Sequence, residues 1–364
     1  MRDFSKLKFV EIGAPWIKTI FPEQTLCFST FHTRRTAEPE NGLFNISLRT
    51  LPKLHSALNA PDLSLVICRP LFYPPWHWQW IARELFSRRA LQGNSYIQAA
   101  LGAQVLRRPI GAPIAVLDTE DYPAIKHDRF FLLSRCQLYF KRELPPDRWR
   151  LFMGTAHANV PSPRFRQRSP LRDNIAKFRP LPLGLPSDGH GVLPLAAREK
   201  TTDVFFAGDT QNSSTVRSSG MLELAALRER GLVVDIPQSR LPLPEFYRRA
   251  ANAWLVWSPE GLGWDCFRHY EALACGSVPI ISQPTIERYR PLIDGEHAFY
   301  YDSSAGDLSR TILGALADKD RLRTMASAGQ AHVMAHHTQD AIARYVVETT
   351  LAAARDDVTR AALE

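Results

Sequence analysis

Two charged side chains three positions apart carry the clearest chemistry in this sequence. Arg268 and Glu271 lie in the run RHYEALACGSVPII, where a helix is predicted to follow a glycine-rich turn. An arginine in the first turn of a helix, beside free backbone N–H groups and the positive helix end, suits phosphate oxygens. A carboxylate one turn further along suits the two hydroxyl groups of a ribose. The same spacing also fits a surface ion pair between positions i and i+3, so spacing alone does not decide between the two.

The residues around this pair are predicted to form a strand, a loop, a helix and a second strand. Trp254–Trp257 is a short apolar run typical of a buried parallel strand, and Ser258–Gly263 supplies turn residues. Asp265 is predicted to cap the helix and Gly276 to end it, before a β-branched strand at Ser277–Ser282. Units of this kind bind ligands at the carboxyl ends of their strands.

A similar arrangement lies earlier in the chain. Thr202–Asp209 is a predicted strand, and Gly208 near its end lets the backbone approach a ligand closely. Val216–Arg230 is the predicted helix that follows, with Arg217 in its first turn. A strand, a glycine and a helix are a weak signal alone, and their recurrence ahead of Glu271 strengthens it.

Together these residues resemble a known family. The run RHYEALACGSVPII is similar to the donor-binding segment of GT-B glycosyltransferases, especially exostosin-like and family 1-like bacterial members. The resemblance covers about Asp203–Tyr301 and implies that Arg268 binds the donor diphosphate and Glu271 the donor ribose. The common family 1 pattern has another Glu where this chain has Gly263. The implied donor-binding residues are Gly208, Asp209, Arg217, Glu260, Gly261, Arg268 and Glu271.

Carboxylates follow a predicted strand in the first half of the chain. The strand Ile114–Asp118 ends at Asp118, and Glu120 and Asp121 come next. Carboxylates at the carboxyl end of a parallel strand point into the crevice where ligands bind. An inverting glycosyl transfer needs a group that takes the proton of the acceptor hydroxyl, so Asp118 or Asp121 is the predicted base, with Glu120 behind them. The alternative is that the three carboxylates cap the next helix.

Two residues are candidates for acceptor binding, and two more for assisting substrate phosphates. The resemblance implies that a loop after an early strand reaches the cleft, which makes His32 a candidate, although a lone loop histidine is usually unrelated to catalysis. Trp78 lies among prolines and aromatic residues that could stack on a sugar, although core packing is the ordinary role of Trp. Lys141 and Arg142 end another predicted strand beside the cleft.

Length and composition narrow the class of protein. A chain of 364 residues, with 45% apolar and 23% charged residues, is expected to form two globular domains. We expect no transmembrane helix and no signal peptide, and five scattered cysteines fit a reducing compartment without a metal site. The net charge of +8 favours anionic partners, but no nucleic-acid-binding motif accompanies it. A cytoplasmic protein is expected, and peripheral contact with the anionic inner face of a membrane stays open.

The expected fold is α/β of the GT-B type, with two doubly wound Rossmann-like domains that face each other across a cleft. Residues 1–185 would form the acceptor-binding domain and residues 186–340 the nucleotide-sugar-binding domain. Residues 341–364 would form a terminal helix that packs back on the first domain. The alternation of predicted strands and helices supports this architecture.

The expected activity is transfer of a sugar from a nucleoside diphosphate or monophosphate sugar to a glycan or lipid-linked acceptor, as in cell-surface polysaccharide synthesis. No cofactor is expected, because basic side chains and a helix end can neutralise the leaving diphosphate without a metal. The D-x-E spacing of Asp118 and Glu120 leaves a metal role open. The alternatives are a nucleotide-sugar epimerase on the same fold and a non-catalytic relative that binds a nucleotide or glycan.

Overall fold

The structure, a computed structural model, describes residues 3–30, 39–69, 95–126, 129–152, 155–157, 160–161, 173–187, 199–210 and 213–361. The acceptor candidates His32 and Trp78 lie outside the described residues.

The first half of the chain forms a seven-stranded parallel sheet. Its strand order is β3-β2-β1-β4-β5-β6-β9, so the chain builds outward from β1 on one side and then from β4 on the other. Most strand residues are buried, as expected of a parallel sheet covered on both faces. The strands are β1 (Phe9–Ile12), β2 (Thr25–Ser29), β3 (Leu43–Asn45), β4 (Leu65–Cys68), β5 (Ile114–Asp118), β6 (Leu138–Lys141) and β9 (Phe178–Pro180); β7 (Thr155–His157) and β8 (Val160–Pro161) form a separate antiparallel pair.

The second half forms a five-stranded parallel sheet with the order β11-β10-β12-β13-β14. Here too the order reverses, between β10 and β12, so both sheets are doubly wound, as expected from the sequence. The strands are β10 (Thr202–Phe205), β11 (Val234–Asp235), β12 (Ala253–Ser258), β13 (Val278–Ser282) and β14 (Phe299–Tyr301).

Helices connect these strands. None of the helices in the described part of the chain is long and apolar enough to cross a membrane. The α-helices are α1 (Ile17–Ile20), α2 (Leu51–Leu58), α3 (Ser95–Leu106), α4 (Phe130–Leu133), α5 (Thr215–Glu229), α6 (Leu243–Ala251), α7 (Phe267–Ala274), α8 (Asp307–Leu316), α9 (Lys319–His336) and α10 (Gln339–Ala361), with short 3-10 helices at Phe4–Lys6, Pro39–Asn41, Arg148–Phe152 and Ile175–Lys177.

The C-terminal helix α10 packs on the first sheet rather than on the second. Its buried face, which includes Ile342 and Val346, shares a core with Phe9 and Phe140 of that sheet. Burial of this apolar face stabilises the helix far beyond its intrinsic propensity. The predicted domain boundaries themselves stay predictions.

The chain passes between the two sheets at two points that lie side by side. The backbone N–H of Leu185 donates to the carbonyl of His337 at 2.7 Å. The side-chain amide of Gln339 donates to the carbonyls of Leu183 and Leu185, at 2.8 and 2.9 Å. The outgoing and returning segments are therefore hydrogen-bonded to each other.

Helix α5 packs closely against the second sheet at Gly220. A Cβ there would press against Cζ2 of Trp257 and lie 2.5 Å from its Cη2. Trp257 is fully buried, and its indole N–H donates to the hydroxyl of Tyr301 at 3.0 Å, so the ring has little room to move. Gly220 therefore sets the packing distance between helix and sheet.

We expect Gly220→Ala to lower the free energy of unfolding by about 1–3 kcal/mol, because the added methyl overpacks this contact. Gly314→Ala, in α8, is the matched control, since nothing lies within 4 Å of its Cβ position. That change should raise stability by about 0.5–1 kcal/mol by removing helical glycine. Urea unfolding of both variants measures the two changes in the free energy of unfolding. Equal changes would contradict the prediction.

Candidate functional site

Two arginines lie close together at the carboxyl edge of the second sheet. Arg217, in the first turn of α5, is buried and donates to the carbonyls of Glu260 (Nε, 2.9 Å) and Asp209 (Nη1, 2.8 Å). Burial lowers the pKa of Arg217, and the neighbouring positive charge of Arg268 lowers it further. The two positive charges therefore repel each other, and an anion bound between them would offset this energetic cost.

The side chain of Arg268, in the first turn of α7, has hydrogen-bonding capacity to spare. Its Nε and Nη1 are buried and have no hydrogen-bond partner among the described residues. Its guanidinium lies 5.3 Å from the ring centroid of Phe206. Buried donors without an acceptor cost roughly 1–3 kcal/mol, so these N–H groups are poised for an acceptor such as a phosphate oxygen.

Glycines make room for both arginines. A Cβ on Gly208 would lie 2.8 Å from Nη2 of Arg268, and one on Gly261 would lie 2.9 Å from Nη2 of Arg217. The sequence predicted that Gly208 allows a ligand to approach closely, whereas the structure shows that Gly208 makes space for the side chain of Arg268. The ligand-binding roles of both glycines stay predictions. Asp209 and Glu260 contact Arg217 through their backbone carbonyls.

Glu271 is buried in α7, with only 8% of its surface exposed. Its carboxylate accepts a hydrogen bond from the hydroxyl of Tyr247 at 3.2 Å. The alternative of a solvent-exposed pair between Arg268 and Glu271 is therefore wrong. The contact of Glu271 with a ribose stays a prediction.

Asp265 does not cap α7, contrary to the sequence interpretation. The N-cap residue is Cys266, without a side-chain capping bond. The carboxylate of Asp265 instead accepts from the Tyr270 hydroxyl at 2.8 Å and from the backbone N–H of Leu183 at 2.6 Å. It thus joins the start of α7 to the segment that links the two sheets.

Asp118 ends β5 as predicted, but it is buried among cations rather than open to a cleft. Its oxygens lie 3.3 Å from both Arg129 and Lys141, and the Tyr139 hydroxyl donates to it at 2.8 Å. Burial alone would raise the pKa of Asp118, but the charges of Lys141 and Arg129 outweigh it and hold the pKa below its ordinary value. These contacts favour a charge-neutralising role over proton transfer.

The structure also changes the predicted roles of Lys141 and of the three carboxylates. Lys141 is fully buried against Asp118, so it cannot reach a substrate phosphate as the sequence suggested. The three carboxylates do not cap the next helix, α4, whose N-cap Arg129 makes no side-chain capping bond. Asp118, Glu120 and Asp121 instead neutralise basic side chains.

Glu120 and Asp121 are more accessible than Asp118. Glu120 pairs with Arg129 at 2.6 Å and with Lys126 at 3.3 Å. Burial raises the pKa of Glu120, but the Arg129 charge and hydrogen bond outweigh it, so the pKa is lowered. Asp121 pairs with Arg142, and its side chain is 43% exposed. Of the three carboxylates, Asp121 has the best access for an acceptor hydroxyl.

The segment after β6 forms hydrogen bonds between the two domains. Arg142 pairs with Asp121 and also donates to the backbone carbonyl of Asp265 in the second domain. Glu143 accepts the backbone N–H groups of Trp264 and Asp265, at 2.9 and 3.2 Å. Arg142 was predicted from the sequence and Glu143 was not; its one signal in the sequence is the charged run KRE directly after a buried strand.

Gly263 is the position where the common family 1 pattern has a Glu. A Cβ at Gly263 would lie 2.6 Å from Oε1 of Glu143 and 3.1 Å from Nη2 of Arg142. A carboxylate from the first domain therefore occupies the space next to this position. Within the described parts of the chain, no group of three or more His, Cys, Asp or Glu side chains is arranged to hold a metal ion.

Known proteins resemble this chain in fold and, over one segment, in sequence. Residues 241–348 match a family described as glycosyl transferase-like. HepE of Anabaena in complex with UDP is 12% identical with a TM-score of 0.50, over 94% of this chain and 99% of that one. No curated protein matches the sequence significantly.

Two further structures are similar over nearly their whole length. A glycosyltransferase of Rickettsia africae is 10% identical with a TM-score of 0.53, over 96% of this chain and 98% of its own. An α,α-trehalose-phosphate synthase (UDP-forming) of Burkholderia vietnamiensis is 9% identical with a TM-score of 0.53, over 94% of this chain and 99% of that one. The chain has the GT-B fold that the sequence predicted.

Proposed function

We propose that this GT-B protein is a glycosyltransferase that moves a sugar from a nucleotide-sugar donor to a glycan or lipid-linked acceptor. The observation that carries the proposal is the Arg217–Arg268 pair, with two buried N–H groups of Arg268 that have no acceptor among the described residues. The diphosphate of a nucleotide sugar supplies both the negative charge and the acceptor oxygens that this pair lacks.

The comparisons support the same activity. The glycosyl transferase-like match spans residues 241–348, which include Arg268 and Glu271. Similar structures include a UDP complex and a UDP-forming synthase. Fold alone does not fix a function, so the proposal depends on the arginine site rather than on the likeness.

In the proposed reaction, the bond between the sugar carbon and the donor diphosphate breaks as the acceptor oxygen bonds to that carbon. The acceptor proton passes to a base, for which Asp121 is the most accessible of the three candidate carboxylates. The nucleoside diphosphate leaves with the bonding electrons. Arg217, Arg268 and the positive end of α7 stabilise this charge, so we propose that the transfer needs no metal.

The remaining assignments are finer proposals. Glu271 would bind the donor ribose, although its carboxylate must then exchange or share the contact with Tyr247. The acceptor would be a growing cell-surface polysaccharide or its lipid-linked precursor, in the cytoplasm or at the inner face of a membrane. The net charge of +8 supports an anionic acceptor or surface.

Binding and turnover assays test the proposal. In a panel of UDP, GDP, ADP, CDP and dTDP, at least one should stabilise the protein, by about 2.7 kcal/mol at a hundredfold its Kd. Glu271→Ala should weaken the binding of that nucleotide. Sugar transfer should require an acceptor; turnover without acceptor would indicate an epimerase, and binding without turnover a non-catalytic relative. Failure of every nucleotide to bind would overturn the proposal.

A further inference from the structure

Glu143 makes a buried contact between the two domains, and its partners are backbone N–H groups. The residue follows β6 of the first sheet and is only 4% exposed. Both carboxylate oxygens are used across the domain junction, Oε2 by the N–H of Trp264 and Oε1 by the N–H of Asp265. Two backbone donors in the loop before α7 thus depend on a carboxylate from the other domain.

The loop between β12 and α7 is fixed on both sides of its bend. Towards β12, Arg217 and Ser214 donate to the carbonyl of Glu260, at 2.9 and 3.2 Å. Towards α7, Glu143 holds the N–H groups of Trp264 and Asp265. Only Cys266 separates Asp265 from the first residue of α7, so the position of these backbone groups sets where the helix begins.

We propose that Glu143 is a positioning residue of the donor site, which fixes the backbone at Trp264 and Asp265 and thereby the first turn of α7 that presents Arg268. This role rests on the proposed function. Gly263 is required for it, because a Cβ at that position would displace the carboxylate. The donor site is thus completed from both domains, although the phosphate-binding arginines belong to the second alone.

The protonation state of Glu143 provides a distinctive readout. Burial raises the pKa of Glu143 to about 7, against the opposing effects of Arg142 and the Trp264 N–H. The charged groups that face it are Arg142 on its own segment, which also pairs with Asp121, and Asp265 on the opposing loop. An ionised carboxylate accepts both N–H bonds strongly, whereas the protonated acid keeps one strong acceptor oxygen.

The first experiment measures the Kd of the tightest-binding nucleotide among UDP, GDP, ADP, CDP and dTDP by calorimetry. At about pH 8, Glu143→Ala should weaken binding at least about tenfold, because two buried donors lose their acceptor. Glu143→Gln should have a smaller effect, and the ratio of its Kd to that of the wild type should approach one at about pH 6, where the wild-type side chain is protonated. A ratio that does not change with pH would contradict the role.

Glu287→Ala is the matched control. Glu287 also pairs across the domains, with Arg148 at 2.7 Å, but its side chain is 42% exposed and its ion pair does not involve the loop before α7. Its removal should change the Kd by less than about twofold. Equal losses for Glu287→Ala and Glu143→Ala would show that any bond across the junction suffices, which overturns a specific role for Glu143.

Amide hydrogen exchange of the unliganded protein tests the contact without any nucleotide. Exchange at Trp264 and Asp265 should be faster in Glu143→Ala than in the wild type, with the rest of the fold unchanged. Unchanged exchange together with unchanged nucleotide affinity overturns the inference while leaving the proposed function intact. If no nucleotide binds the wild type, the proposed function fails and the donor-site role fails with it, whatever the exchange shows.

Discussion

Arg268→Ala is expected to weaken nucleoside diphosphate binding roughly 10- to 150-fold, the loss of charge-assisted hydrogen bonds worth about 1.5–3 kcal/mol. The stability of the free protein should be unchanged or higher. In the free protein the Nε and Nη1 donors are buried without a partner among the described residues, and the guanidinium lies beside that of Arg217. The variant removes both costs and gives up the contact with the Phe206 ring.

Arg310→Ala is the control for this prediction. Arg310 also lies in the first turn of a helix, α8, but its side chain is 81% exposed and pairs with Asp307. Arg310→Ala should leave both the nucleotide affinity and the stability equal to those of the wild type within experimental error. Calorimetric titration and thermal unfolding of the two variants are sufficient. Wild-type affinity combined with lower stability for Arg268→Ala would assign the arginine to packing and remove the main support for a diphosphate site.

Asp118→Asn should lower the free energy of unfolding by about 3–5 kcal/mol, because Lys141 and Arg129 would remain buried with their shared counter-ion removed. Burial opposes ionisation of Asp118, but these two cations keep its pKa below the ordinary value. The stabilisation from ionised Asp118 is therefore complete above the unfolded pKa of about 3.9 and is lost as the pH falls through the lower folded pKa. The variant should lack this component of acid unfolding.

Asp121→Asn separates stability from chemistry within the same cluster. Its side chain is 43% exposed and pairs with Arg142, so its removal should cost no more than about 1 kcal/mol. If Asp121 is the base, the variant should bind nucleotide normally and lose turnover. Denaturant unfolding of both variants measures the contrast, and a small loss for Asp118→Asn would refute the view of Asp118 as a structural counter-ion.

The second domain was predicted closely because its elements carry strong local signals. The predicted helix Val216–Arg230 differs from α5 by one residue at each end, and the predicted strand Ser277–Ser282 differs from β13 by one residue at its start. Strands β1 and β2 were missed. Each has only four or five residues, and β1 contains Glu11, whose buried carboxylate accepts the backbone N–H groups of Trp16, Ile17 and Lys18. A buried charge that is satisfied by backbone N–H groups is indistinguishable in sequence from a charged loop residue.

The candidate site was predictable where position along a helix decides it. Arg217 and Arg268 were each placed in the first turn after a strand, and parallel strands bring such turns to one edge. The burial of Asp118 was not predictable, because it depends on the register that pairs Asp118 with Lys141. Glu143 could not be identified either, since its partners are backbone N–H groups, which leave no trace in the sequence.

The paired segments that connect the two sheets constrain how the two domains can move relative to each other. The bonds that join Leu183 and Leu185 to His337 and Gln339 make the outgoing and returning chain a single two-ply strap. Bending about the line of this strap leaves those bonds intact, whereas twisting or sliding one domain against the other would shear them. These hydrogen bonds therefore favour a hinge about the strap over twisting or sliding of one domain against the other.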